Sequence, residues 1–187
     1  MIQTVRGPIQ PQDLGVTLAH EHLLLDLRVL WDEPESEERR LLATVPITAT
    51  ARADWVSNPY ESLDNLLLDD EEAAAAEVAL FAQAGGRSLI DLTVAGIAPN
   101  PLALRRISQR TGVQIVAGTG VYRAVAHPEW VSTSSVDDLA ARFVGAIREG
   151  IDGTEVRAGV LGELGTSSPI EASEVKVLRA AARAHFE

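Results

Sequence analysis

The sequence predicts an α/β protein in which a parallel β-sheet is covered by helices. Short apolar segments alternate four times with amphipathic segments of ten or more residues. Because parallel strands need crossover connections, which helices usually supply, this alternation favours repeated strand–helix units. Hydrophobic residues make up 46% of the chain and aromatic residues only 4%, so the core must be built from Ala, Val, Leu and Ile.

The N-terminal third of the chain is the less regular part. Residues 1–15 are rich in Gly and Pro, which predicts turns and a short hairpin. Residues 16–23 begin with a β-branched pair after a Gly and are predicted to form a buried strand. The charged stretch 31–40 predicts a loop or a short exposed helix, and residues 58–60 predict a turn.

The rest of the chain is regular. Its first helix opens on four acidic residues, which oppose the helix dipole favourably, and Asp69 and Glu72 have capping-box spacing. Gly85 and Gly86 end that helix. The predicted elements are helix 69–84, strand 88–93, helix 101–111, strand 113–117, helix 135–149, strand 158–163 and helix 169–184.

Two architectures fit this order of elements, an open doubly wound sheet and half of a (β/α)8 barrel. A complete barrel typically needs ~250 residues. The 187 residues can therefore supply only the first four βα units, and we expect residues 1–187 to form a single domain.

The composition argues against several classes of partner. With 16 Lys and Arg against 27 Asp and Glu, the formal net charge is −11, whereas nucleic acid binding needs a basic face. The absence of Cys excludes disulfides, thiolate zinc ligands and a cysteine nucleophile. No apolar run approaches the ~18 residues of a membrane span, and residues 1–8 show no signal-peptide core. We therefore expect no nucleic acid or membrane partner and a cytoplasmic location.

His20 and His22 flank Glu21 at the end of the first predicted strand. Because side chains alternate along a strand, the two imidazoles share one face and Glu21 points to the other. Two imidazoles so placed can reach one metal ion, with Zn–N bonds of ~2.0–2.1 Å. The carboxyl ends of strands form the active-site face of α/β folds, which favours a metal site here. A histidine pair without a metal is the alternative that the motif leaves open.

Glu163 and Tyr122 are the next candidates. Glu163 ends the last predicted strand, where a carboxylate is unfavourable unless it is paired, hydrogen-bonded or bound to a metal. A metal-binding role and a helix-capping or salt-bridging role both remain open for it. Tyr122 follows the turn 118–120 and can line a pocket, although packing is the commoner role of such a residue.

Other residues are weaker candidates. Asp91 lies inside a predicted strand and is interpreted as structural. His127 in a loop and His185 on a helix are expected at the surface. The turn 118–120 can cradle an anion, but it lacks the further glycines of a dinucleotide-binding loop, which favours a simple turn.

One motif of the chain is Gly15-Val16-Thr17-Leu18-Ala19-His20-Glu21-His22. It resembles the zinc-binding signature of the phosphotriesterase family of the amidohydrolase superfamily. The similarity continues in order along the whole chain and is greatest to the phosphotriesterase-related branch. The other motifs that carry it are Gly7-Pro8-Ile9, Asn58-Pro59-Tyr60, Ser62-Leu63-Asp64-Asn65, Asp91-Leu92-Thr93, Thr111-Gly112-Val113, Gly118-Thr119-Gly120-Val121-Tyr122 and residues 158–167.

The resemblance implies a (β/α)8 TIM barrel, of which this chain is the N-terminal half, with two divalent metal ions at the C-terminal mouth and zinc as the expected ion. It implies that His20 and His22 bind the more buried metal and that Glu163 is the bridging carboxylate. Phosphotriesterases and lactonases proper have a carboxylated Lys at the position of Gly162. Tyr122 matches a substrate-pocket Tyr of lactonase-like members. The remaining ligands of the family, two His and an Asp, are expected after residue 187.

The activity implied by the resemblance is hydrolysis of an ester, lactone, amide or phosphoester bond in a small molecule by a metal-bridged hydroxide. An alternative is a catalytically incomplete half-barrel with no activity of its own, which associates through its exposed strand edges, for example as a homodimer. A nucleotide-binding domain with an open sheet is disfavoured because the phosphate-loop glycines are missing.

Overall fold

A computed structural model of the protein describes residues 1–49 and 55–187. Its helices and strands follow one another in the order that the sequence predicts, with short additional elements between them. The strands are β1 (Ile2–Thr4), β2 (Gly7–Ile9), β3 (Thr17–Glu21), β4 (Leu25–Asp26), β5 (Leu67–Leu68), β6 (Ser88–Asp91), β7 (Gln114–Thr119) and β8 (Val160–Leu161). The described helices are α1 (Glu37–Ala43), α2 (Glu71–Gln83), α3 (Pro101–Thr111), α4 (Glu129–Thr133), α5 (Val136–Arg148) and α6 (Ala172–His185).

The main sheet has four parallel strands in the order β3–β6–β7–β8. Each strand pairs with the next one along the chain, and a helix follows each. A doubly wound sheet would reverse its strand order at a switch point, whereas a (β/α)8 barrel adds its strands in sequence. The strand order therefore confirms the α/β class and selects the half-barrel of four βα units over the open sheet.

Strand β3 contains an irregularity at the position of the histidines. Leu18 is opposite Leu89 of β6, but Glu21 is opposite Asp91, so β3 has one residue more than its partner over this stretch. Such a bulge bends a strand and redirects its side chains, and bulges are frequent beside active sites. His20 lies within this bulge.

Capping residues define the ends of the helices. At the start of α2 the carboxylate of Asp70 accepts hydrogen bonds from the backbone N–H groups of Glu72 and Ala73, at 2.9 and 3.0 Å. The predicted cap at Asp69 is thus wrong by one residue. Helix α3 has the predicted bounds and ends at Gly112, whose φ of 79° is the left-handed conformation that favours Gly.

Short elements account for most of the differences from the predicted structure. The hairpin β1–β2 is confirmed, and helix α1 occupies the end of the charged stretch. The antiparallel pair β4–β5 and helix α4 were not predicted, because two to five residues are too few to show a periodicity. Strand β8 is shorter than predicted, with only two residues paired to β7.

The core lies between the sheet and the helices. Strand β7 is central, and all of its residues after Gln114 are buried. The hairpin β1–β2 is fastened to this strand by the Val5 N–H, which donates to Ile115 O at 2.8 Å. No helix in the described ranges is long and apolar enough to cross a bilayer.

Candidate metal centre

Three side chains with metal-binding atoms converge at the carboxyl edge of the sheet. His20 Nε2 lies 3.3 Å from Glu163 Oε2, and His22 Nε2 lies 3.7 Å from Glu163 Oε1. The ligand atoms of the three residues all lie within 4.8 Å of one another. In the part of the chain that the structure describes, this is the one group of three or more His, Asp or Glu residues so arranged.

The geometry of this cluster fits a divalent metal ion. Two nitrogen ligands at 2.0–2.1 Å from a tetrahedral zinc ion lie about 3.3–3.4 Å apart, and His20 Nε2 and His22 Nε2 are 3.3 Å apart. The donor set of two imidazoles and one carboxylate is common for zinc. The structure thus brings together the three residues predicted as ligands, and their assignment as ligands stays a prediction.

The two histidines differ in their surroundings. The side chain of His20 is 55% exposed and that of His22 is 23% exposed. Burial lowers the pKa of His22, against the opposing effect of the Glu163 carboxylate, and the His20 ring lowers it further. The lowered pKa favours the neutral imidazole, which is the form that binds metal ions.

Gly118 in β7 and Gly120 just after it allow residues 162–163, which follow β8, to lie close to the end of β7. A Cβ atom on Gly118 would lie 2.1 Å from Gly162 O, and one on Gly120 would lie 2.7 Å from Glu163 O. Any larger residue would push β8 away from β7. Strand β7 continues through Thr119, so the predicted turn 118–120 is wrong for its first two residues. Gly118 and Gly120 have a packing role.

Tyr122 follows this turn and is half-buried. Its backbone N–H donates to Ala95 O at 3.0 Å. Burial raises the pKa of the Tyr122 phenol, the Glu163 carboxylate raises it further, and the Arg123 guanidinium partly offsets both. At neutral pH the hydroxyl is therefore protonated and can donate a hydrogen bond.

The weaker candidates have structural partners. Asp91 is 1% exposed and accepts hydrogen bonds from backbone N–H groups, in agreement with its interpretation as structural. His127 is half-buried, contrary to expectation, because its Nε2 pairs with Tyr122 O at 3.0 Å. His185 is exposed near the end of α6, as expected.

Reasoning from the residues did not identify Thr93 or Glu174 as part of the site. Thr93 Oγ1 lies 3.0 Å from His22 Nδ1, and Glu174 receives hydrogen bonds from the loops after β7 and β8. Thr93 lies 71 residues from His22, and neither contact leaves a local pattern. The one available signal was the Glu171–Glu174 spacing at a helix start, which is that of a capping box.

Parallel βα units with polar side chains gathered at their carboxyl edge are the arrangement of α/β-barrel proteins, whose active sites lie at that edge. The chain matches the model of the phosphotriesterase family over residues 1–187. The chain belongs to the phosphotriesterase family.

Individual proteins are similar to this chain over almost all of its length and over about half of their own. It is 38% identical over 188 residues to the N-acetyltaurine hydrolase of Xenopus tropicalis, covering 100% of this chain and 53% of that protein. A solved structure of a resiniferatoxin-binding protein from Rhodobacter sphaeroides is 46% identical, with a TM-score of 0.97, over 99% of this chain and 52% of that one. A lactonase structure from Listeria monocytogenes is 28% identical, with a TM-score of 0.75, over 99% and 53%. The chain spans about half the length of the relatives it matches.

Proposed function

We propose that this chain carries the first half of the metal centre of a hydrolase that acts on a small-molecule substrate. The convergence of His20, His22 and Glu163 within 4.8 Å carries this proposal. Similar proteins are named as an N-acetyltaurine hydrolase and a lactonase. Both names describe cleavage of a bond between a carbonyl carbon and a heteroatom, which favours amides and lactones over phosphoesters as substrates.

The residues of the cluster have distinct roles in this proposal. His20 and His22 would hold one divalent ion, and Glu163 would be the carboxylate ligand between that ion and a second. When bound, the ions, with zinc as the expected metal, supply a water of lowered pKa and polarise the scissile oxygen. The protonated hydroxyl of Tyr122 would donate a hydrogen bond to the substrate.

A half-barrel without activity of its own is the second candidate function. Two observations favour it: the chain covers about half of each relative, and the outer edges of β3 and β8 are unpaired within the described ranges. In this case catalysis would require the later strands of the barrel, with the two His and the Asp that the family resemblance implies. Both candidates share the metal cluster and the expected cytoplasmic location, and they differ in whether the chain itself turns over a small-molecule substrate.

The double variant His20→Ala/His22→Ala tests the metal site. We expect the zinc-loaded chain to retain zinc through gel filtration and the variant to lose it, because the variant has lost both nitrogen ligands. Elemental analysis of the eluted protein measures the difference, and His185→Ala is the control because that histidine is exposed on α6. Unchanged zinc in the double variant would show that the assignment is wrong.

Turnover separates the two candidate functions. The zinc-loaded chain is assayed with N-acyl amino sulfonates, lactones and phosphotriesters, beside the double variant. Hydrolysis that disappears in the double variant supports the active hydrolase. Tight zinc binding without hydrolysis of any of them supports the incomplete half-barrel.

A further inference from the structure

We propose that Asp91 and Thr93 are positioning residues that set the ring orientation and the tautomer of His22. The inference rests on the proposed metal site, because it concerns how one of its ligands is presented. It is carried by a continuous set of hydrogen bonds that runs from the buried end of β6 to the histidine ring.

The set begins at Asp91, the last residue of β6, which is 1% exposed. Its Oδ2 accepts the backbone N–H of Leu23 at 2.8 Å, and its Oδ1 accepts the backbone N–H of Thr93 at 3.1 Å. Asp91 thereby holds the backbone of Leu23, which follows His22, and that of Thr93, whose side chain contacts the His22 ring.

The orientation of the His22 ring assigns a role to each of its nitrogens. Nε2 lies on the side of His20 and Glu163, 3.3 Å from His20 Nε2 and 3.7 Å from Glu163 Oε1, where a metal ion would take its lone pair. The ring proton of the neutral imidazole is then on Nδ1, which donates to Thr93 Oγ1 at 3.0 Å. His22 is consequently the Nδ1–H tautomer, and its Nε2 presents a lone pair toward His20 and Glu163.

The chemical value of this arrangement is preorganisation. Metal-bound histidines commonly donate their second ring N–H to an oxygen, which orients the ring and increases its basicity. His20 is more exposed, and within residues 1–49 and 55–187 its Nδ1 has no hydrogen-bond partner. His22 is therefore the preset ligand, and His20 is the ligand that adjusts on metal binding.

Zinc affinity tests the proposal in Thr93→Val, which removes the hydroxyl at nearly constant volume. Competition with a chromophoric chelator should show affinity about 10–100-fold weaker than that of the unaltered chain. Thr93→Ser should restore it because it restores the hydroxyl. Thr119→Val is the matched control, since Thr119 is a buried threonine on β7 outside this set. Equal affinity in Thr93→Val and the unaltered chain would overturn the proposal.

The ring nitrogens of His22 give a second readout that needs neither metal nor variant. Two-bond ¹H–¹⁵N correlation spectra of the zinc-free chain should show Nδ1 protonated and Nε2 unprotonated. An Nε2–H tautomer in that spectrum would overturn the positioning role even if zinc binds. Absence of zinc binding by the unaltered chain would instead contradict the proposed function, so the two failures are distinguishable.

Discussion

Two buried carboxylates, Asp91 and Glu174, lie near the metal centre and have opposite pKa shifts. Each is 1% exposed, so each would be costly to bury as an unpaired charge. Burial raises the pKa of Asp91 despite its hydrogen bonds, whereas the pKa of Glu174 is lowered to about 2. The comparison shows that the number of donors, and not burial alone, decides the direction in which the pKa of a buried carboxyl shifts.

The surroundings of Glu174 explain its lowered pKa. Burial by itself raises that pKa, but the backbone N–H groups of Glu171, Ser167 and Ala124 donate to the carboxylate at 2.9 Å and outweigh it. The hydroxyl of Ser167 donates as well, at 2.8 Å. Asp91 receives fewer donors, from Leu23 and Thr93.

The two carboxylates also serve different parts of the site. Asp91 supports the His22 side of the cluster through Thr93. Glu174, in the first turn of α6, joins the loop after β7, next to Tyr122, to the loop after β8, which follows Glu163. One carboxylate orients a predicted ligand, and the other holds together the two loops that border the site.

Replacement of Glu174 by Gln should produce the largest change in stability. The NH₂ group of the glutamine amide would face backbone N–H groups that now donate hydrogen bonds to the carboxylate. Those buried N–H groups would be left without acceptors. We expect the free energy of unfolding to fall by about 3 kcal/mol, as measured by urea denaturation. Glu77→Gln, at an exposed position of α2, is the matched control and should change it by less than about 0.5 kcal/mol. If the two variants were equally stable, the hydrogen bonds to the Glu174 carboxylate would not stabilise the fold to this extent.

Acid titration should reveal the lowered pKa of Glu174. Its folded-state pKa of about 2 lies below the ordinary value of 4.5, so the unfolded chain binds the proton first as pH falls. Its stabilising contribution is therefore complete above about pH 4.5 and is lost as pH falls toward 2, at up to about 1.4 kcal/mol per pH unit. Urea denaturation at several pH values over this range should show that the free energy of unfolding depends less steeply on pH in Glu174→Gln than in the unaltered chain. An identical pH dependence in the two proteins would mean that Glu174 has an ordinary pKa.

Ser167→Ala should have the smallest effect. It removes one hydroxyl donor to Glu174 but leaves the Ser167 backbone N–H in place. We expect a loss of about 1 kcal/mol in the free energy of unfolding, again by urea denaturation. Ser132→Ala is the control, because its exposed hydroxyl donates only within α4. A loss as large as that of Glu174→Gln would show that this hydroxyl dominates the network.

The βα repeat, most element positions and the His20-Glu21-His22 motif could be predicted from the sequence. These features depend on residues close together in the chain: the alternation along a strand, the helical period, and glycines such as Gly112 at helix ends. Glu163, which lies 143 residues beyond His20, was a candidate from its place at a strand end, and the family resemblance gave it the role of bridging carboxylate.

The strand order, the bulge in β3 and the partners of the buried carboxylates became known only from the folded chain. Thr93 reaches His22 across 71 residues, and Ala124 reaches Glu174 across 50. Such contacts arise where neighbouring strands end at one edge and their loops fold together. A single hydrogen bond between distant residues imposes no periodicity on the sequence around it, so the chain predicted the metal-binding motif but not the residues that orient it.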